Sequence, residues 1–164
     1  MEHVVYKGNP PTIGQGTILN ATPLMLDIDA VSGNRYLLPS KFDVIIGDNV
    51  HFGNNVIVNR GHKRNTEIGD NCYVWHKSSI GHDCRIGDHT VISAGVTICG
   101  CVTIGDWCYI APGTVIKPHV MIGDNTMIGM NSTVCESIDS GVIAYGSPCK
   151  AKRENKWRPD TDKP

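Results

Sequence analysis

The sequence predicts an all-β chain wound as a parallel β-solenoid of hexapeptide repeats. Three observations carry this reading. Every sixth residue from Ile68 to Val134 is isoleucine or valine: Ile68, Val74, Ile80, Ile86, Ile92, Ile98, Ile104, Ile110, Ile116, Ile122, Ile128 and Val134. Two places before each stands a small or β-branched residue, from Thr66, Cys72 and Ser78 to Thr126 and Ser132. Glycine often follows the aliphatic residue, as in Ile68-Gly69-Asp70, Ile86-Gly87-Asp88, Ile104-Gly105-Asp106 and Ile122-Gly123-Asp124. A period of six fits neither an α-helix at 3.6 nor a lone strand at 2. It fits a triangular coil of three short strands, each sending its aliphatic residue inward.

Taken in order, the elements are these. Ile13-Gly14 and Leu19 read as part of a first coil. Leu24-Met25-Leu26-Asp27-Ile28 and Arg35-Tyr36-Leu37-Leu38, joined through Ser32-Gly33-Asn34, read as a projecting hairpin, so residues 1–45 form an N-terminal cap or partial coil. Ile46, Phe52 and Val58 extend the period backwards, and the solenoid is assigned to residues 46–143. Ten residues instead of six separate Val58 from Ile68, so Asn59–Asn65 contains a four-residue insertion that must bulge from one corner. Residues 144–164 are a Gly/Pro loop through Pro148 and a short polar C-terminal tail, helical or disordered from Lys150 onward.

A formal net charge of -1 gives no strong field for nucleic acid or an anionic membrane. No apolar run approaches membrane-spanning length, and the start MEHVVYKGNPP does not read as a signal peptide. Of seven cysteines, Cys72, Cys84 and Cys108 fall at the inward small-residue position. With no CxxC pair, neither a zinc knuckle nor a disulfide framework is favoured, and a reduced cytoplasmic setting is expected.

Stacking converts the period into a map. Three rungs make a coil, so Val58, Ile80, Ile98, Ile116 and Val134 lie over one another. The corners after these rungs form one edge, along which sit the insertion, Gly81-His82-Asp83, Cys99-Gly100-Cys101, Lys117-Pro118-His119 and Cys135-Glu136. Gly100 lies one coil above His82, and His119 about 10 Å up the same edge. This edge gathers an outward loop, two histidines and a glycine.

At this point the chain resembles the hexapeptide-repeat acyltransferases. Asn59-Arg60-Gly61, the ten-residue break and Ser79-Ile80-Gly81-His82-Asp83 are similar to the acyl-carrier-protein-dependent glucosamine N-acyltransferase of lipid A synthesis. The run from His82-Asp83 through Ala94-Gly95 to Gly146-Ser147-Pro148 resembles the acetyl-CoA-dependent sialic-acid and amino-sugar acetyltransferases. The resemblance implies a left-handed parallel β-helix, a homotrimer, His82 as catalytic base, and the Gly100 amide at the thioester oxygen. Two departures stand out. Residues 1–45 show no Gly-rich strand-turn-helix of the kind that binds nucleotide sugars, and Cys149 replaces the alanine of the usual Gly-x-Pro-Ala-Lys ending.

Acyl transfer from a thioester needs a base, a group that holds the base's tautomer, and donors for the oxyanion. Histidine titrates near neutrality, so His82 suits the first; Asp83, or a backbone carbonyl, suits the second; the Gly100 amide suits the third. Flanking Cys99 and Cys101 leave an acyl-cysteine route open. Expected donor contacts are Gly100, His119, Gly146, Lys150, Lys152 and Arg153. Expected acceptor contacts are Asn59, Arg60, His62, Lys63 and Arg64, with His76 reaching His82 only across a subunit interface. Asp70, Asp88, Asp106 and Asp124 read as turn residues. No permanently bound cofactor or metal is expected; acetyl-CoA is the expected co-substrate, and a small sugar or nucleotide-linked amino sugar the acceptor. Two other readings stay open. One is a zinc protein of the γ-carbonic-anhydrase type, although His76/His82 and His82/His89 lack its histidine spacing. The other is a non-catalytic scaffold.

Overall fold

A computed structural model of the chain describes residues 42–157 and, upstream, residues 4–6, 12–16, 18–19 and 24–26. No helix occurs among them. Rungs of two or three residues wind into a left-handed parallel β-helix with sheets of seven, six and eight strands as its walls. The register follows the rung count: Val58 pairs with Ile80, Ile80 with Ile98, Ile98 with Ile116 and Ile116 with Val134.

The aliphatic series lines the axis, from Ile46, Phe52 and Val58 to Val134, each no more than 3% exposed. The small residue two places earlier is buried as well, and its chemistry is specific. Ser78 Oγ, Thr90 Oγ1 and the thiols of Cys72, Cys84 and Cys108 each donate to a corner carbonyl one coil on, at 2.8–3.2 Å. At these five positions a short polar side chain fits as well as valine does, because its hydrogen is satisfied inside the wall; Thr66 Oγ1, buried at the same position, has no partner among the described residues. Burial pushes the thiols of Cys72, Cys84 and Cys108 up to about 12, 11 and 11, which keeps them protonated.

Among the described residues the regular corners turn through one residue in the left-handed region, including Asn49, Asn71, Asp83, Cys101, His119 and Asn125. The Ile-Gly-Asp motif has a further cause. Asp70, Asp88, Asp106 and Asp124 form a ladder in which each Oδ1 accepts the amide of the aspartate one coil below, at 2.8–2.9 Å. A Cβ on Gly69, Gly87 or Gly105 would strike that same Oδ1, so the glycine makes room for the carboxylate above it. These residues are thus more than turn formers.

The partial first coil expected around Ile13 and Leu19 is present: Thr12–Ile13 pairs with Ile45–Ile46, and Ile18–Leu19 with His51–Phe52. Leu24–Leu26, expected in a hairpin, is a parallel rung between Val4–Tyr6 and Ile57–Val58. The remainder of that hairpin lies outside the described residues. At the other end Val142–Tyr145 adds to the eight-stranded sheet, and Lys150–Glu154 returns antiparallel to it across a turn with a cis Ser147–Pro148 bond. The expected helical or disordered tail is therefore a strand as far as Glu154. Its side chains face solvent, so hydropathy carried no sign of it.

Candidate active site

The corner after Ile80 sets His82 and Asp83 on the edge between the seven-stranded and six-stranded sheets. Successive coils repeat the turn in register. His82, Gly100, Pro118 and Glu136 make one column, and Asp83, Cys101 and His119 the next. Backbone bonds tie them: the Cys101 amide donates to the His82 carbonyl at 2.8 Å, and the His119 amide to the Gly100 carbonyl at 3.3 Å.

Asp83 is the keystone of this corner. It is only 2% exposed, yet it carries a charge. Its Oδ1 accepts three consecutive backbone amides of the insertion, from His62, Lys63 and Arg64, at 2.8–2.9 Å. The four extra residues thus curl into a nest whose N–H groups converge on one oxygen. Arg64 Nε also donates to the Asp83 carbonyl at 2.8 Å. Asp83 Oδ2 faces the other way, 2.8 Å from His82 Nδ1. Burial alone would favour the neutral acid. The amides of Arg64, Lys63 and His62 and the His82 ring outweigh it, and hold the carboxyl well below the usual carboxylate range.

The tautomer of His82 follows. An ionised carboxylate only accepts hydrogen bonds, so Nδ1 must carry the proton and Nε2 keeps its lone pair. Nε2 points at Gly100, where any Cβ would collide with it. Among the described residues no acceptor takes the Gly100 amide. In the aspartate ladder the equivalent amide is taken by the side chain above, but above Gly100 stands Pro118, whose side chain has no acceptor. A free lone pair and a free N–H therefore adjoin one glycine-sized space, with the His82 side chain 42% exposed. This pairing can accept a proton and stabilise an oxyanion at the same place.

The structure sorts the remaining expected residues. His62 joins the site, its ring edge-on to His82 with centroids 4.6 Å apart. Lys63 and Arg64 border it through their backbones, and Asn59 and Arg60 begin the same loop. His119 is exposed further up the edge. Lys150 bonds Glu136 at 2.6 Å, at the top of the His82 column, while Lys152 lies 5.5 Å over the Tyr145 ring and Arg153 is exposed in the terminal strand. Gly146 lies beside Ser132 and Thr133 instead, on another corner. His76 occupies that other corner too, packed against Trp75, and does not meet His82 within the chain.

Sequence reasoning missed two things. It gave Asp83 one partner, the histidine, although its carboxylate also anchors the whole insertion. The available signal was the loop's length: four added residues must turn back one coil below Asp83, leaving amides without ladder partners. It also missed the approach of Cys101 Sγ to Asp83 Oδ2, at 4.0 Å.

Comparison with known proteins agrees with this architecture. The family model of the bacterial transferase hexapeptide (six repeats) matches residues 65–100 and 102–136, and that of the hexapeptide repeat of succinyl-transferase matches 43–74. The chain belongs to the hexapeptide-repeat transferases. A UDP-3-O-acylglucosamine N-acyltransferase of Neisseria gonorrhoeae (strain NCCP11945) is 37% identical over 75 residues, 45% of this chain and 22% of that protein. Its counterpart in Leptospira biflexa serovar Patoc is 33% identical over 72 residues, 44% of this chain and 20% of that one. The matched part is thus about a fifth of these relatives' length. Among solved structures, a UDP-N-acetylglucosamine acyltransferase superposes with a TM-score of 0.86 at 24% identity, over 93% of this chain and 59% of that one. AntD, an N-acyltransferase from Bacillus cereus in complex with dTDP and coenzyme A, gives 0.72 at 16%, over 89% and 84%. Both share the fold.

Proposed function

We propose that this hexapeptide-repeat protein transfers an acyl group, acetyl from acetyl-CoA, to the amine of a nucleotide-linked amino sugar. One observation carries the reading: the His82 lone pair and the unengaged Gly100 amide face one space, behind which a locked Asp83 fixes the ring. The acceptor nitrogen attacks the thioester carbonyl carbon, and the carbonyl electrons move onto oxygen, where the Gly100 N–H meets them. His82 Nε2 takes the proton from the nitrogen, which has become cationic. The oxyanion collapses, the C–S bond breaks, and the coenzyme A thiolate leaves with that proton. Amide and free thiol result, with no acyl-enzyme.

Support for a nucleotide-linked amino sugar comes from the Neisseria and Leptospira relatives, whose names specify UDP-linked acylglucosamine and N-acyl transfer. Support for coenzyme A comes from Lys150, which meets Glu136 at the top of the His82 column. Pantetheine would run up past Gly100 and His119 toward Lys150, with Lys152 and Arg153 further along the terminal strand. The insertion, with Arg60, His62 and Lys63, would border the acceptor. The exposed outer residues of the eight-stranded sheet, Tyr73, Tyr109 and Met127, with Trp75 beside them, suit burial in a homotrimer, which would bring His76 of a neighbouring subunit toward His82. A reducing cytoplasm suits a chain that uses four thiols, of Cys72, Cys84, Cys108 and Cys149, as core residues. The test is a screen of nucleotide-linked amino sugars with acetyl-CoA, read by free thiol release. Acceptor-dependent thiol release that disappears in His82→Ala is expected. No release with any acceptor, together with no calorimetric binding of coenzyme A, would overturn the reading.

A further inference from the structure

The residues around His82 contain a second chemistry. His82, Asp83 and Cys101 offer a nitrogen, an oxygen and a sulfur, all within 4.8 Å of one another. We propose that this triad is an inhibitory site for a borderline-soft divalent cation of the zinc type, bound by His82 Nδ1, Asp83 Oδ2 and Cys101 Sγ. The proposal rests on the acyl-transfer reading for its effect, though not for the site itself.

The geometry supports it in three ways. First, the donors are close to what such an ion requires. With metal–nitrogen and metal–oxygen bonds near 2.0–2.2 Å and metal–sulfur near 2.3 Å, tetrahedral ligand atoms stand roughly 3.2–3.7 Å apart. The observed separations are 2.8 Å from Nδ1 to Oδ2 and 4.0 Å from Oδ2 to Sγ, with the third pair within 4.8 Å, so shifts of about 1 Å close the site. Second, the donors are held in place. Asp83 and Cys101 occupy the same corner position on successive coils, with φ of 59° and 62°, and the Cys101 amide is bonded to the His82 carbonyl. Asp83 Oδ1 is fixed by three loop amides, as outer partners fix a metal-binding carboxylate, while Oδ2 faces only the other two ligands, His82 and Cys101. Third, the set is open. Three protein ligands beside an exposed ring leave the fourth position for water. Mixed N, O and S donors favour zinc over magnesium or calcium, which prefer oxygen.

The consequence for the base is set by the imidazole's two nitrogens. When the ion takes Nδ1, the ring's single proton must reside on Nε2. The lone pair that faced Gly100 is lost, and Nε2–H can no longer accept a proton. The Cys101 thiol loses its proton to become a ligand, so each ion bound releases one proton.

Cobalt and zinc test this directly. Cobalt(II) added to the reduced protein should give a thiolate-to-cobalt charge-transfer band at one ion per chain, and Cys101→Ser should lack it. Calorimetry of zinc in buffers of different ionisation enthalpy should report one proton released. In the thiol-release assay zinc should inhibit reversibly, with chelator restoring turnover. Cys101→Ser should keep its turnover while the zinc needed for half-inhibition rises on the order of 10–100-fold. No band at one ion per chain, or unchanged zinc affinity in Cys101→Ser, overturns the site. Zinc bound through Cys101 with turnover intact overturns the inhibition. A Cys101-dependent band in a protein that releases no thiol with any acceptor and binds no coenzyme A upholds the site and overturns the acyl-transfer reading instead.

Discussion

Replacing Asp83 by asparagine isolates the tautomer of His82 from the rest of the site. The asparagine amide can sit in two ways. If its oxygen keeps the three loop amides, its NH2 replaces Oδ2 and faces His82 Nδ1. If it flips, the NH2 faces three N–H donors and all three bonds are lost. Three bonds against one decide for the first, at about 1 kcal/mol each. An NH2 group can only donate, so Nδ1 becomes the acceptor and the proton moves to Nε2. His82 then stays in place but cannot accept a proton. Turnover should fall on the order of 10²–10⁴-fold, as when the base is deleted, with coenzyme A affinity retained. The bonds from the loop weaken as the charge disappears, and unfolding free energy should drop by about 2–3 kcal/mol. Wild type should also lose stability that the variant does not. Asp83 is held below the carboxylate range in the folded state, so its stabilisation is present above the unfolded carboxylate value and lost as pH falls below it. The assays are thiol release, urea unfolding at neutral and acid pH, and nitrogen NMR of the His82 ring. A variant that keeps a tenth or more of wild-type turnover, or a ring still protonated at Nδ1, would refute the tautomer argument.

Other expectations are simpler. Gly100→Ala should keep the fold but push the His82 ring aside, lowering turnover on the order of 10²-fold; near-normal turnover would remove Gly100 from the site. Deleting the four inserted residues within 59–65 should raise the acceptor KM and also lower kcat, because Asp83 loses its three amides; a change in neither would detach the loop from the site. In the native protein a maleimide should label exposed Cys135 first and leave Cys72, Cys84 and Cys108 unmodified until unfolding, as mass spectrometry after brief exposure would read. Sedimentation equilibrium at micromolar concentration should return three chains per particle; a monomer there would defeat the trimer.

The central coils were legible because a period of six has one structural solution, and inward Ile68, Ile80 and Ile98 hold their register without help from neighbours. Column arithmetic likewise put Gly100 over His82, since one coil of this fold adds a fixed number of residues between them. What escaped notice was everything not periodic. Leu24–Leu26 belongs to a coil, but the long separation from Ile46 hid it. Lys150–Glu154 reads Lys-Ala-Lys-Arg-Glu and buries none of it, so only backbone pairing marks it as a strand. At the site, the Asp83–loop contact depends on where three main-chain N–H groups point, which side-chain identity does not encode.

The last turn of the chain also decides what the protein avoids becoming. A stack of near-identical coils presents, at its final rung, the same bare edge that each coil offers the next, and two such ends would join as readily as two coils do. Here each wall is stopped separately. Ile138 bonds back to Met121 and Gly123, Gly146 and Cys149 occupy the groups of Thr133, and the charged strand Lys150–Glu154 lies antiparallel along the third wall. Burying Cys149 is part of that seal. Cutting the chain before residue 144 would open all but the first of these and leave two walls with the bare edges on which another chain could pair.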